Sequence, residues 1–258
     1  MRTVTSTRYV TPLREGGSLP AIIEADDAGM YVLKFRGAGQ GPKALVAELV
    51  AGELARACGL PMPEIVLVEV DAELARTEPD PEIQDLIRAS EGLNLALDYL
   101  PGAVTFDPLA WKPDAELASR IVWLDALVTN IDRTPRNTNM MVWHDQLWLI
   151  DHGAALYFHH AWDDALARSR SGFPQIRDHV LLPFANRLDE IDAGMAAHLG
   201  ESAIRDIVTS IPDAWLERES GFANVEAVRD AYVDWLLSRL QSPREFCEEA
   251  IRAHAALV

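Results

Sequence analysis

Two short apolar runs, residues 139–143 and 147–150, flank His144-Asp145-Gln146, and no other stretch constrains the chain as much. Runs of Met, Val, Trp and Ile broken by a polar tripeptide predict a tight hairpin. Polar residues bracket it. Asp132 is followed five residues later by Asn137, and nineteen residues after Asp132 comes Asp151, which opens Asp151-His152-Gly153. A hairpin between them brings Asn137 and Asp151 side by side at one edge. Such a set has a use in phosphoryl transfer. One Asp orients or deprotonates the attacking hydroxyl, while an Asn five residues on and an Asp near a Gly hold magnesium ions that bridge nucleotide phosphates.

The N-terminal stretch supplies complementary parts. Residues 9–13 and 20–25 predict strands around Arg14-Glu15-Gly16-Gly17-Ser18, and residues 30–35 a third strand after Asp26-Asp27-Ala28-Gly29. Gly16 and Gly17, with Ser18, allow a backbone to approach a phosphate closely. Strand alternation places Val32, Lys34 and Arg36 on one face and Leu33 and Phe35 on the other. Lys34 is therefore either a solvent-facing edge residue or a phosphate contact that pairs with a helix Glu. Residues 43–58, KALVAELVAGELARAC, predict a helix closed by Gly59 and Pro61. Glu48 stands among Ala, Leu and Val there, and an unpaired buried charge is costly, so it needs a partner. Glu53, about 140° further round at 100° per residue, is the competing candidate; Glu48 is the expected partner of Lys34.

The run Asn130-Ile131-Asp132-Arg133, then Asn137, then Ile150-Asp151-His152-Gly153, resembles HipA-like kinases and, more distantly, phosphatidylinositol 3- and 4-kinases. It departs from the common protein-kinase pattern: no His-Arg precedes Asp132, His152 stands where Phe is usual, and no Ala-Pro-Glu follows. The resemblance covers nearly the whole chain. It implies an α+β, two-lobed protein-kinase-like fold, with an N-terminal antiparallel sheet lobe over residues 1–100 and a mainly helical lobe over 101–258. It further implies ATP and Mg²⁺ as cofactors, Asp132 as base, Asn137 and Asp151 as metal ligands, and Lys34 held by Glu48 on the phosphates. Asn139 stands in reserve for Asn137, and Arg133 is expected to neutralise charge near the transferred group. Gly16, Gly17 and Ser18 would form the phosphate loop, and the backbone at Asp98 and Leu100 would meet adenine. The implied acceptor is a hydroxyl, most plausibly Ser or Thr of a protein substrate; a lipid headgroup or small metabolite uses the same phosphate-handling parts.

A net charge of −17 argues against nucleic acid and against anionic membrane surfaces as partners. Cys58 and Cys247 are far apart in sequence with no metal-ligand spacing, which fits a reducing cytoplasm. No signal peptide or membrane span is read from the sequence. Between the two halves, residues 65–70 predict a strand, 71–90 an acidic exposed excursion with one short helix, and 94–100 a returning strand ended by Pro101-Gly102. Asp114 is placed to cap a helix to about residue 129 that delivers the Asp132 loop. Residues 154–171 read as an activation-like segment. Further helices are expected over 188–199, 201–211, 225–241 and 243–256, with Asn224 as one cap and Ser242-Pro243-Arg244-Glu245 as a capping box with a first-turn Pro. Trp215, Trp235 and Phe246 are expected in the core. Two other functions compete: a metal-dependent hydrolase on Asp151, His152, His159 and His160, and a kinase-shaped binding protein without turnover.

Overall fold

The computed structural model describes residues 1–13 and 19–257. Its N-terminal part is a closed barrel of β1 (Thr3–Pro12), β2 (Ala21–Ala25), β3 (Met30–Lys34), β4 (Ile65–Val70) and β5 (Gly92–Asp98), in the order β1-β2-β3-β5-β4. The expected antiparallel sheet is present but closed on itself, and one of its pairings is parallel. Closure is made by the first residues of β1, which run parallel to β4 with Thr3 opposite Leu67 and Thr5 opposite Glu69. The expected strand from residue 9 missed that half because only Val4 and Ser6 turn inward there, too few for an apolar run.

β4 explains its own unbroken Ile-Val-Leu sequence. Val66, Val68 and Val70 fill the barrel, while Ile65, on the opposite face, belongs to a second and larger core. Both faces are covered from Ile65 to Val68, so alternation of polar and apolar residues is lost there and returns only at the exposed Glu69. The helix α1 (Pro42–Ala57) lies on that outer face. Gly52 permits the approach, since a Cβ there would meet Ile65 Cδ1 at 2.5 Å. Residues 71–90 are less exposed than expected. A 3₁₀ turn (Ala72–Thr77) and the amphipathic helix α2 (Pro81–Ala89) bury Ala75, Ile83 and Ile87 in the barrel core.

The larger core joins α1, Leu95 and Leu97 of β5, and the helices that follow, so residues from both sides of position 100 share it. After the short β6 (Val104–Thr105), α3 (Ala115–Leu127) is its centre, capped by Asp114, whose carboxylate accepts from the Leu117 amide at 2.9 Å. Then come the hairpin strands β7 (Met140–Trp143) and β8 (Gln146–Leu149) and the single-turn α4 (Ala165–Arg168). The chain finishes with α5 (Leu188–His198), α6 (Glu201–Thr209), the single-turn α7 (Asp213–Leu216), α8 (Val225–Leu240) and α9 (Glu245–Ala255). Asn224 caps α8 as expected, its side chain accepting from the Ala227 amide. Ser242 does not cap α9: the helix begins at Glu245 with Arg244 before it, and no side-chain cap forms. Arg244 is instead tied to Asp192 at 2.6 Å. Trp215, Trp235 and Phe246 are buried. Trp215 also donates to the Leu93 carbonyl at 3.0 Å, which binds the helical part to β5.

Two contacts steady the end of α3, where the polar loop starts. Arg239 of α8 is buried and donates to the Ala126 and Leu127 carbonyls, each at 2.8 Å. Those carbonyls have no partner within the helix, and a cation at the negative end of the helix dipole is favourable.

Candidate functional site

β3 and α1 deliver Lys34 and Glu48, and the end of β8 delivers Asp151. The Lys34 ammonium lies 2.6 Å from Asp151 Oδ1 and 3.3 Å from Glu48 Oε2. The same Glu48 oxygen accepts the His152 amide at 2.8 Å. Glu48 is 1% exposed, and burial alone would raise its pKa, but the Lys34 charge and His152 outweigh this and bring it down to about 2. Burial would likewise lower the Lys34 pKa; the Glu48 and Asp151 carboxylates overcome that and hold it above the ordinary value. Glu53 faces elsewhere, 3.7 Å from Arg56. The structure therefore selects Glu48 from the two candidates.

The hairpin forms where expected, with a turn one residue shorter than the predicted His144-Asp145-Gln146, because Gln146 opens β8. Trp143 pairs with Gln146 across His144 and Asp145, both at positive φ, as a two-residue turn requires. At the open end, the Ile150 amide donates to the Asn139 carbonyl at 3.1 Å, so Asn137 and Asp151 leave from the same edge. Asp151 itself adopts a left-handed conformation, φ 55°, and its carboxylate is 44% exposed. Backbone conformations of this kind concentrate at functional sites.

The five-residue spacing from Asp132 to Asn137 has a local cause. Thr134 and Asn137 exchange backbone hydrogen bonds at 2.9 and 3.1 Å, closing a tight turn at Pro135-Arg136. The turn folds the Asn137 amide back on Asp132, where Nδ2 donates to Oδ2 at 2.8 Å. Asn139 donates to the same oxygen at 3.3 Å, and the Asp132 amide donates to Asn130 Oδ1 at 3.2 Å. Asp132 Oδ1 carries no hydrogen bond among the described residues and remains open to an incoming group. Asn137 is exposed and Asn139 buried, so Asn137 is the better placed of the two to meet a ligand.

Arg133 does something different from what the sequence suggested. It is 1% exposed and turns inward, donating to Asp125 at 2.5 Å, to the Asn139 and Ile150 carbonyls, and to His152 Nε2 at 2.9 Å. It clamps both strands of the hairpin at the open end and is not available to a transferred phosphoryl group. Asp125 also accepts from Asn130 Nδ2 at 3.0 Å and from His179 Nε2 at 2.8 Å. Burial would raise the Asp125 pKa, but Arg133 and His179 hold it well below the ordinary range. Sequence reasoning missed Asp125, although it carried the signal that marked Glu48: a single carboxylate inside an apolar helix, IVWLDALV.

Asp98 and Leu100 sit where β5 leaves the barrel. Asp98 pairs with Tyr31 on β3, three residues along the ladder from the Lys34 pair with Leu95. That is roughly 10 Å at about 3.4 Å per residue. The Asp98 amide donates to the Glu64 carbonyl at 2.9 Å, and the Leu100 carbonyl accepts from Ala103 at 3.2 Å. Both residues line a cleft of about 410 Å³ with Trp143 and Trp148. Burial, then the nearby Glu64 charge, raise the Asp98 pKa. Gly16, Gly17 and Ser18 lie outside the described residues.

The residues nominated for a hydrolase do not converge. His152 is taken by Arg133, and buried His159 is bonded through Nδ1 to the Tyr232 hydroxyl at 2.9 Å. Among the described residues no group of three or more His, Cys, Asp or Glu could hold a metal ion. A magnesium ion asks less of the protein. It is bound by one or two carboxylates, with substrate phosphates and water completing its shell. The Asp151 carboxylate and the Asn137 amide oxygen are hard donors of that sort. Asp151 already accepts a cation, the Lys34 ammonium, so the residues present fit the ion.

A family model described as HipA-like kinase matches residues 7–249. A search of curated protein sequences returns no match. Among solved structures, the chain is similar to the crystal structure of a Helicobacter pylori proinflammatory kinase, CtkA, with 14% identity and a TM-score of 0.57 over 99% of both chains. That likeness shows the fold. With the family model spanning most of the sequence, the chain belongs to the HipA-like kinases.

Proposed function

We propose that this kinase transfers the γ-phosphoryl group of ATP, with magnesium, to a hydroxyl, and that the acceptor is a Ser or Thr of a protein. The observation that carries the reading is the joint placement of two clusters by one hairpin. Lys34, Glu48 and Asp151 form one cluster, and Asp132, Asn137 and Asn139 form the other. In this reading Asp151 and Asn137 hold magnesium, which supplies charge neutralisation along the phosphates. Lys34, oriented by Glu48, contacts the phosphate oxygens once Asp151 has its cation. Asp132, steadied at Oδ2 by two side-chain amides, uses its open Oδ1 to orient the acceptor hydroxyl and take its proton. The backbone at Asp98 and Leu100 receives adenine, at a span along β3 and β5 suited to a nucleotide whose phosphates reach Lys34.

The exposed side of the site supports a macromolecular acceptor. Ile131, next to Asp132, is 42% exposed, and Tyr157, shortly after the Asp151 turn, is 60% exposed. Both present apolar surface on the loops that carry the reacting groups. The deciding experiment is incubation with labelled ATP and magnesium, followed by mass spectrometry of the kinase and of a cell lysate. Label on Ser or Thr, lost in Asp132→Asn, is the expected result. Label on lipid or metabolite alone would reject a protein acceptor.

A further inference from the structure

Two buried polar atoms face one another without partners beside the Lys34 cluster. Glu48 Oε1 and His152 Nδ1 have no hydrogen bond. They lie 3.9 Å apart, on side chains at most 1% exposed. A hydrogen bond of this type ends near 3.2 Å, so the gap is slightly too wide. Leaving either atom unsatisfied in the interior is unfavourable, and one small movement would satisfy both.

The other side of the imidazole fixes its proton. His152 Nε2 is 2.9 Å from the Arg133 guanidinium, which only donates. Nε2 must therefore accept, and the ring proton of the neutral imidazole sits on Nδ1, facing Glu48. Arg133 cannot yield, because Asp125 and the Asn139 and Ile150 carbonyls hold it. A buried chain beginning in α3 thus sets the tautomer and aims its donor at α1.

We infer that His152 is a positioning residue for the transfer reaction, an inference that rests on the phosphoryl-transfer reading above. Its Nδ1–H closes onto Glu48 Oε1 when Lys34 leaves Asp151 for the nucleotide phosphates. At present Glu48 is gripped at one oxygen only, Oε2, which is shared by Lys34 and the His152 amide. A carboxylate held at one oxygen pivots about it. With the amide on Oε2 and the ring on Oε1, the carboxylate is held at both ends and keeps Lys34 in line. The phenylalanine usual at this place in protein kinases has no such donor. His152 accordingly couples the metal-bearing turn to α1 through a side chain, in addition to the backbone bond.

The test uses the full chain and has two readouts. Nitrogen-15 NMR of the parent is expected to show Nδ1 protonated and Nε2 bare. The Nδ1 proton should move downfield on adding a non-hydrolysable ATP analogue with magnesium. In kinetics, His152→Phe is expected to weaken nucleotide Kd by about threefold, since the contact forms on binding, and to lower kcat about tenfold, since Lys34 is then less well aligned for transfer. His152→Asn, whose amide stands near the Nδ1 position, should recover part of kcat; His152→Gln, which replaces only the acceptor near Nε2, should not. Thermal melts establish that each variant is folded. A proton on Nε2, an Nδ1 signal unmoved by the analogue, or a folded His152→Phe with parental kcat would each overturn the inference. A parent that moves no phosphoryl group at all defeats the transfer reading instead, and the Nδ1 spectrum still judges His152 independently.

Discussion

At the scale of single residues, Asp132 and Asp151 are both carboxylates in loops, yet their surroundings differ. Asp132 touches two neutral amides, and Asp151 touches a cation. Asp132→Asn keeps the shape and an oxygen for those amides, so the fold and nucleotide affinity should change little. Phosphoryl transfer should fall about 10²–10⁴-fold, the scale of general-base loss, as read by turnover beside a nucleotide titration. Asp151→Asn should instead abolish the magnesium-dependent rise in melting temperature that a bound nucleotide produces by mass action. An Asp151→Asn protein stabilised as fully as the parent by ATP with magnesium would remove Asp151 from the metal site. For Lys34 and Glu48, which share one hydrogen bond, the double alanine variant should lose little more kcat/KM than the worse single variant. Fully additive losses would mean that they act separately.

The elements explain why these residues meet. A two-residue turn at His144-Asp145 sets the hairpin register, and a second tight turn at Pro135-Arg136 sets the contact between Asp132 and Asn137. The first was legible, because turn residues and short apolar runs are local signals; the second was found only in the structure, which explains the five-residue spacing that the sequence had shown. Arg133 was misread because its neighbours in sequence are the candidate site residues, while its partners, Asp125, His152 and the Asn139 and Ile150 carbonyls, are brought to it by the fold. Arg133→Met strands the buried Asp125 charge and should destabilise the protein by about 3–5 kcal/mol, measured by chemical denaturation. Adding Asp125→Leu should restore much of that loss, since removing both charges relieves the desolvation that one alone leaves behind. No recovery in the double variant would show that Asn130 and His179 depend on Asp125 more than Arg133 does.

Across the whole molecule, buried titratable groups make acid the weak side. Burial holds His179 and His159 below their ordinary pKa of 6.5, His159 with additional repulsion from His160 and Lys43. For groups lowered in the folded state, the stabilising contribution is present above the unfolded pKa and is lost as pH falls. Melting temperature should therefore decline first as pH drops below about 6.5, the histidine range. It should decline again below the ordinary Glu48 value of 4.5, toward its folded value of about 2. A melting temperature flat from pH 7 to 5 would contradict the buried neutral histidines. The larger core runs through α1, β5 and the C-terminal helices, so this loss is expected to melt both halves together.

The sequence by itself determined whatever depends on neighbours along the chain. That includes the helix of residues 43–58 with Glu48 set among its apolar residues, the cap at Asp114, the hairpin after Asn139, and the spacing of Asp132, Asn137 and Asp151. Periodicity, capping and turn chemistry act over a few residues and leave their mark in order. Tertiary structure alone decided the closure of the barrel, because the parallel contact of β1 with β4 joins segments some sixty residues apart through backbone groups that every residue carries. It also decided which way Arg133 points and which proton His152 bears. A buried charge takes the partners that the interior offers, and those partners assemble only when distant elements pack.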